Sequence, residues 1–138
     1  MRNPGKATIE TQLPRGNGEL ILVVDDEAVI QQSSQETLED YNYRTLVAKD
    51  GIEAIALYAE HQSEISAVLL DILMPNMDGL TAIRTLRTLN PKVKIIASSG
   101  LPANKQKAIA VGAKKFLPKP YTATDLLTTL SDVLGIKE

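Results

Sequence analysis

Four groups of polar residues in this chain each stand where an apolar run ends. Asp25-Asp26 follows Leu20–Val24, Asp71 follows Ala67–Leu70, Ser98-Ser99 follows Val93–Ala97, and Lys119 stands between Pro118 and Pro120 just after Lys115–Leu117. Taken singly, each has an ordinary structural use. An Asp at a strand end forms turns, an acidic pair suits a helix N-terminus, a loop serine caps, and a surface lysine is solvated. Taken together they describe a chemistry. Three carboxylates meeting in one cleft repel, and at least one stays protonated unless cations compensate. Lys119 supplies one positive charge, and a divalent metal would supply the rest. Carboxylate, carbonyl and water ligands favour magnesium, which keeps several waters and pairs with phosphate. A carboxylate held beside magnesium and a lysine can attack a phosphoryl group, because both cations neutralise its oxygens.

That chemistry requires the four groups to share one edge of one sheet. Ala67–Leu70 has no polar alternation, as expected of a strand buried on both faces of a parallel sheet. Pro75 must end its ladder nearby, and Asn76-Met77-Asp78-Gly79 is turn chemistry before a helical pattern. The whole chain repeats this alternation. Strands are expected at Leu20–Val24, Arg44–Ala48, Ala67–Leu70, Val93–Ala97 and Lys115–Leu117. Helices are expected at Ala28–Asp40, Ile52–His61, Leu80–Leu89, Asn104–Val111 and from Thr124 or Asp125 to Leu134. The first helix is rich in Gln and Ser, so one face must be solvated. Ser98–Pro102 reads as a loop. Alternating strands and helices imply an α/β fold, a flavodoxin-like doubly wound (βα)5 with a five-stranded parallel sheet. Its order 2-1-3-4-5 puts a switch point between the first and third strands, where such sheets bind ligands. Residues 1–18, with Pro4, Gly5, Pro14, Gly16 and Gly18, read as a flexible leader or linker, and 19–138 as one domain.

Composition narrows the classes. A formal net charge of −2 makes no case for nucleic acid. With no cysteine there is no disulfide or thiolate chemistry, and one histidine, His61, rules out a His-rich metal site. No apolar run is long enough to span a membrane, and the N-terminus lacks a signal-peptide core, so a cytoplasmic protein without membrane contact is the expectation.

Leu22-Val23-Val24-Asp25-Asp26-Glu27, Asp71-Ile72-Leu73-Met74-Pro75 with Met77-Asp78-Gly79, and Ser99-Gly100, Gly112-Ala113 and Lys119-Pro120 together resemble the receiver domains of two-component response regulators and hybrid histidine kinases. The resemblance covers about Glu19 to Gly135. It implies that Asp71 is the phosphoacceptor, charged from phosphohistidine on a histidine kinase or histidine phosphotransfer domain. It implies magnesium held directly by Asp26, mainly through water by Asp25, and also by Asp71 and the Leu73 carbonyl. Ser99 and Lys119 would each bind a phosphoryl oxygen. Spacing from Asp71 favours Ser99 over Ser98, with Ser98 left open. Phe116 falls at the family's rotating aromatic, making Ser99 and Phe116 the switch pair. Such a domain catalyses its own phosphorylation and dephosphorylation without being a turnover enzyme. A homodimer through the fourth helix, fifth strand and fifth helix is a further expectation.

Gly135–Glu138 is too short for an output domain, and Leu13–Glu19 resembles the linker before the C-terminal receiver of hybrid sensor kinases. The expected parent is therefore a hybrid histidine kinase, with a stand-alone single-domain regulator as the alternative. An Asp-nucleophile phosphatase would place a second Asp two residues on as general acid, where this chain has Leu73. An FMN protein of the same topology needs a Ser/Thr/Gly-rich phosphate-binding loop after the first strand, where Asp25-Asp26-Glu27 would repel phosphate instead. A degenerate receiver, acting only as a binding module, would lack an acidic residue or Lys119.

Overall fold

In a computed structural model, residues 13–136 are described. The strands are β1 (Leu20–Val24), β2 (Arg44–Ala48), β3 (Ile65–Asp71), β4 (Ile95–Ser99) and β5 (Lys115–Pro118). The helices are α1 (Ala28–Asp40), α2 (Gly51–His61), α3 (Gly79–Leu89), α4 (Asn104–Ala110) and α5 (Ala123–Leu134). The strands form one sheet in the order β2-β1-β3-β4-β5, every pair parallel. The doubly wound expectation holds.

Alternate residues of the central strands feed two cores, because successive side chains leave a strand on opposite faces. Leu22, Val24, Val68, Leu70, Ile95 and Ala97 pack with Ala54, Tyr58, Ile83, Leu86 and Ala108 of α2, α3 and α4. Ile21, Val23, Leu69, Ile96 and Leu117 pack with Leu38 of α1 and Leu126, Leu127 and Leu130 of α5. Burial on both faces is what the unbroken apolar runs foretold.

Helix starts are built by side chains that satisfy orphan N–H groups. Asp50 accepts from Glu53 N–H at 2.8 Å, and Asp78 from Thr81 N–H at 3.0 Å. Thr122 and Asp125 form a reciprocal capping box. α2 and α3 thus open one residue before the expected positions, on Gly51 and Gly79, and α5 opens at Ala123. Gly79 is required there: a Cβ would lie 2.5 Å from Ile72 Cα. The first turn of α3 therefore sits directly on the backbone that carries Asp71.

Two strand boundaries differ from expectation in ways that matter for the site. β3 begins at Ile65 and includes Asp71. β4 is shifted, so Val93 lies in a turn with its N–H donating to Asn90 O, and Ser98 and Ser99 are strand residues and not loop. Pairing carries the ladder that far, with Asp71 opposite Ser98 and Ser99 opposite Pro118. Apolarity alone could not register this, because the polar residues complete a ladder whose energy is backbone hydrogen bonding.

Residues 1–12 of the expected leader lie outside the described residues. Nearer the domain, Gly16 and Gly18 N–H groups donate to the carbonyls of Tyr41 and Asn42 at 2.8 and 2.7 Å. No helix among the described residues is long and apolar enough to cross a membrane.

Candidate active site

The C-terminal edge of the sheet gathers the charged residues of β1, β3 and β5. Asp25 and Asp71 are 3% and 5% exposed, while Asp26, one residue on, faces solvent. One carboxylate oxygen from each of the three lies within 4.8 Å of the others. Lys119 arrives from the end of β5, its N–H donating to Ser99 O at 3.0 Å. Its Nζ lies 2.8 Å from Asp25 Oδ2, 3.2 Å from Asp71 Oδ2 and 3.5 Å from Glu27 Oε1. The acidic residues and Lys119 picked from the sequence are therefore one cluster.

The backbone orients the carboxylates. Asp25 Oδ1 accepts Glu27 N–H at 2.9 Å, and Asp71 Oδ1 accepts Leu73 N–H at 3.2 Å. Each bond turns one oxygen towards its own loop and leaves Oδ2 facing Lys119. The β3–α3 loop is itself tied down. Asn76, in the left-handed region at φ 72°, donates to Asp50 Oδ2 at 3.1 Å, and Met77 packs on Gly51. This fixes the segment that contains Leu73.

Electrostatics follow from burial. Desolvation pushes the Asp71 carboxyl above the usual range, against the pull of Lys119 and with the help of Asp25. Burial opposes the charge on Lys119, but its hydrogen bond to Asp25 and the field of Asp71 outweigh that and hold the ammonium above the ordinary lysine range. One lysine does not neutralise three clustered carboxylates together with Glu27. The donor set of hard carboxylate oxygens, two on buried residues and one open to water, fits a divalent cation such as magnesium.

The two serines part company here. Ser98 Oγ donates to Leu117 O at 2.7 Å and is consumed inside the sheet. Ser99 instead lines a cavity of about 340 Å³ with Phe116 and Lys119, so the two expected switch residues share one space. Leu73 and Leu101, whose N–H groups donate to Asp71 Oδ1 and Ser99 Oγ, are 54% and 52% exposed. Reading from the sequence missed three participants. Glu27 touches Lys119, Asn104 donates to Ser99 Oγ, and Tyr121, just past Lys119-Pro120, hydrogen-bonds buried Ser34 at 2.8 Å. Only Glu27 carried a signal, by adjoining the acidic pair.

The family model of the response regulator receiver domain matches residues 21–131. The chain belongs to that family. As a receiver domain of two-component signalling it resembles relatives of several architectures. It is 36% identical over 118 residues to Protein CcdB of Bacillus subtilis, covering 83% of this chain and 97% of that one. It is 34% identical over 116 residues to the sensor kinase CckA of Brucella abortus, covering 83% of this chain and 12% of the kinase. The chain also spans about half, 50%, of the response regulator MprA of a Mycobacterium species. Among solved structures, the receiver domain of the sensor histidine kinase PA1611 from Pseudomonas aeruginosa, which has magnesium coordinated in its active-site cleft, superposes with a TM-score of 0.79 at 29% identity. That match covers 86% of this chain and 98% of the other.

Proposed function

We propose that this receiver domain accepts a phosphoryl group on Asp71 from the phosphohistidine of a histidine kinase or histidine phosphotransfer domain. The observation that carries this is Lys119 Nζ held between Asp25 and Asp71 at 2.8 and 3.2 Å, with Asp26 beside them open to solvent. Asp71 Oδ2 is the nucleophile. It attacks phosphorus in line, the P–N bond breaks, and the imidazole leaves with its electron pair. Lys119 stays against the oxygens that gain charge, and Ser99 donates to a further phosphoryl oxygen. Asp26, Asp71 and the Leu73 carbonyl, with Asp25 through water, would hold magnesium, which when bound would neutralise the transferring oxygens. Phosphoramidate, which carries the same P–N linkage, tests this: the chain should become labelled with magnesium and stay unlabelled with chelator. Labelling that ignores the metal would overturn the metal's part in this reading.

The metal site has its own test. Millimolar magnesium should raise the thermal midpoint by mass action, and Asp26→Ala should remove most of that rise. An unchanged melting curve for wild type would show that the acidic cluster is not a metal site.

The lifetime of the phosphoryl group follows from the two flanking leucines. Hydrolysis needs a water aligned opposite the carboxylate, and neither Leu73 nor Leu101 can hydrogen-bond one. Misplacing a nucleophile by about 1 Å costs on the order of a hundredfold in rate. Slow self-dephosphorylation is expected, suited to a relay that passes its phosphoryl group onward or back. Leu73→Asn and Leu101→Asn should each shorten the decay of labelled protein, and decay as slow as wild type in both would remove the leucines from the account.

The parent we favour is a hybrid sensor kinase, supported by the likeness to the sensor kinase CckA and to the PA1611 receiver. The likeness to Protein CcdB, covered over 97% of its length, supports the stand-alone alternative. The full reading frame in the native genome decides between them.

A further inference from the structure

Ser99 is held towards α4 and away from the carboxylates. Its Oγ accepts two hydrogen bonds, from Leu101 N–H at 3.0 Å and from Asn104 Nδ2 at 2.9 Å. Both side chains are buried, Ser99 1% and Asn104 8% exposed. Asn104 is the first residue of α4, and the cap position before it, Ala103, offers no side-chain acceptor. The Asn104 amide is thus directed at Ser99 and takes no part in capping the helix. Lys119 and Asp71 hydrogen-bond each other, and Ser99 Oγ bonds neither of them among the described residues. The two donors are not equivalent. Leu101 N–H lies in the same short turn and travels with Ser99. Asn104 is anchored in the helix, so its bond breaks when the hydroxyl swings towards β3.

We propose that Asn104 is a positioning residue that holds Ser99 in the unphosphorylated arrangement and so sets how readily the domain enters the phosphorylated one. This rests on the reading of Asp71 as phosphoacceptor with Ser99 as a donor to the phosphoryl group. An interaction present in only one of two states shifts the equilibrium by its own free energy. A buried amide-to-hydroxyl bond corresponds to a shift of about fivefold. The cavity that Ser99 shares with Phe116 is also lined by Pro102 and by Lys105 of α4, so it lies on the side that the hydroxyl leaves.

The test uses the beryllium trifluoride anion, which binds a carboxylate oxygen as a phosphoryl stand-in, titrated at saturating magnesium and followed by the amide resonances of residues 99–104. Asn104→Ala and the volume-conserving Asn104→Leu should each reach half-saturation at about fivefold lower concentration than wild type. In a Ser99→Ala background the Asn104 substitutions should change nothing, because the coupling runs through the hydroxyl. Half-saturation equal to or above wild type would overturn the proposal. So would an effect that persists without Ser99, or loss of fold in both variants, since one positioning bond is not a folding determinant. If wild type does not saturate, or Asp71→Asn binds as well as wild type, the phosphoacceptor reading itself falls and this proposal with it. A wild type that saturates through Asp71 with no response to Asn104 removes only the role given to Asn104.

Discussion

Replacing Asp71 with Asn is expected to reduce phosphoryl labelling from near-stoichiometric to none while leaving the protein at least as stable. Asn keeps the side chain's shape and can still accept from Leu73 N–H as the carboxylate does at 3.2 Å. It removes the anion that burial disfavours. The sign follows from linkage. The Asp71 pKa is raised in the folded state, chiefly by desolvation. The folded protein therefore holds the proton more tightly than the unfolded chain. Stability falls as pH climbs from the ordinary carboxylate range through the raised value. Asn escapes that loss, so its midpoint at neutral pH should equal or exceed that of wild type. In more acid solution, where Asp71 is protonated in both states, the two midpoints should converge. Intact-mass measurement reads the labelling, and calorimetry at neutral and acid pH reads the stability. A mutant that labels fully would remove Asp71 from the chemistry. One that melts far below wild type at neutral pH would contradict the electrostatic picture.

Lys119→Ala is expected to be the most destabilising change at the site. The ammonium neutralises two carboxylates that are almost wholly buried, and its own side chain is 16% exposed. Removing one partner of a buried pair leaves the other uncompensated, at a cost of about 3–5 kcal/mol in full burial. Partial exposure of Lys119 and Asp26's contact with water lower this to about 2–3 kcal/mol, on the order of 10 °C in midpoint. Because the folded-state pKa of Lys119 is raised, its contribution is complete below the ordinary lysine value and is lost only as pH rises through the higher folded value. The deficit should stay level from roughly pH 6 to 9 on the lysine side. Magnesium should recover a larger fraction of stability in this variant than in wild type, since a second cation can occupy the vacated field. Labelling should fall steeply. A variant that melts with wild type would mean that the Lys119 contacts are not energetically coupled to the fold.

The residues of the cluster were more legible than their geometry. Strand runs such as Leu20–Val24 are apolar because both faces are covered, so their ends, and the polar residues there, are marked in the amino-acid sequence itself. The DG pair at Asp78-Gly79 announced the α3 start, but not that Gly79 must rest on Ile72 with no room for a Cβ. What stayed hidden depended on partners far apart in sequence. The register that brings Ser98 opposite Asp71 is set by backbone ladders, and it separates a serine bonded to Leu117 O from one facing the cavity. Ser34 looked like one more polar residue on a solvated helix, yet it is buried and joined to Tyr121 across the chain. Asn104 looked like a helix-opening residue. Its amide is spent on Ser99, a pairing that the β4–α4 loop conformation alone creates.

The most direct test is to label the wild-type chain from phosphoramidate with magnesium, digest it, and identify the peptide that carries the phosphoryl group. The expected result is one phosphoryl unit on the acid- and base-labile acyl linkage of Asp71, absent when magnesium is chelated. Label on Asp25, Asp26 or a serine hydroxyl, with Asp71 unmodified, would contradict it.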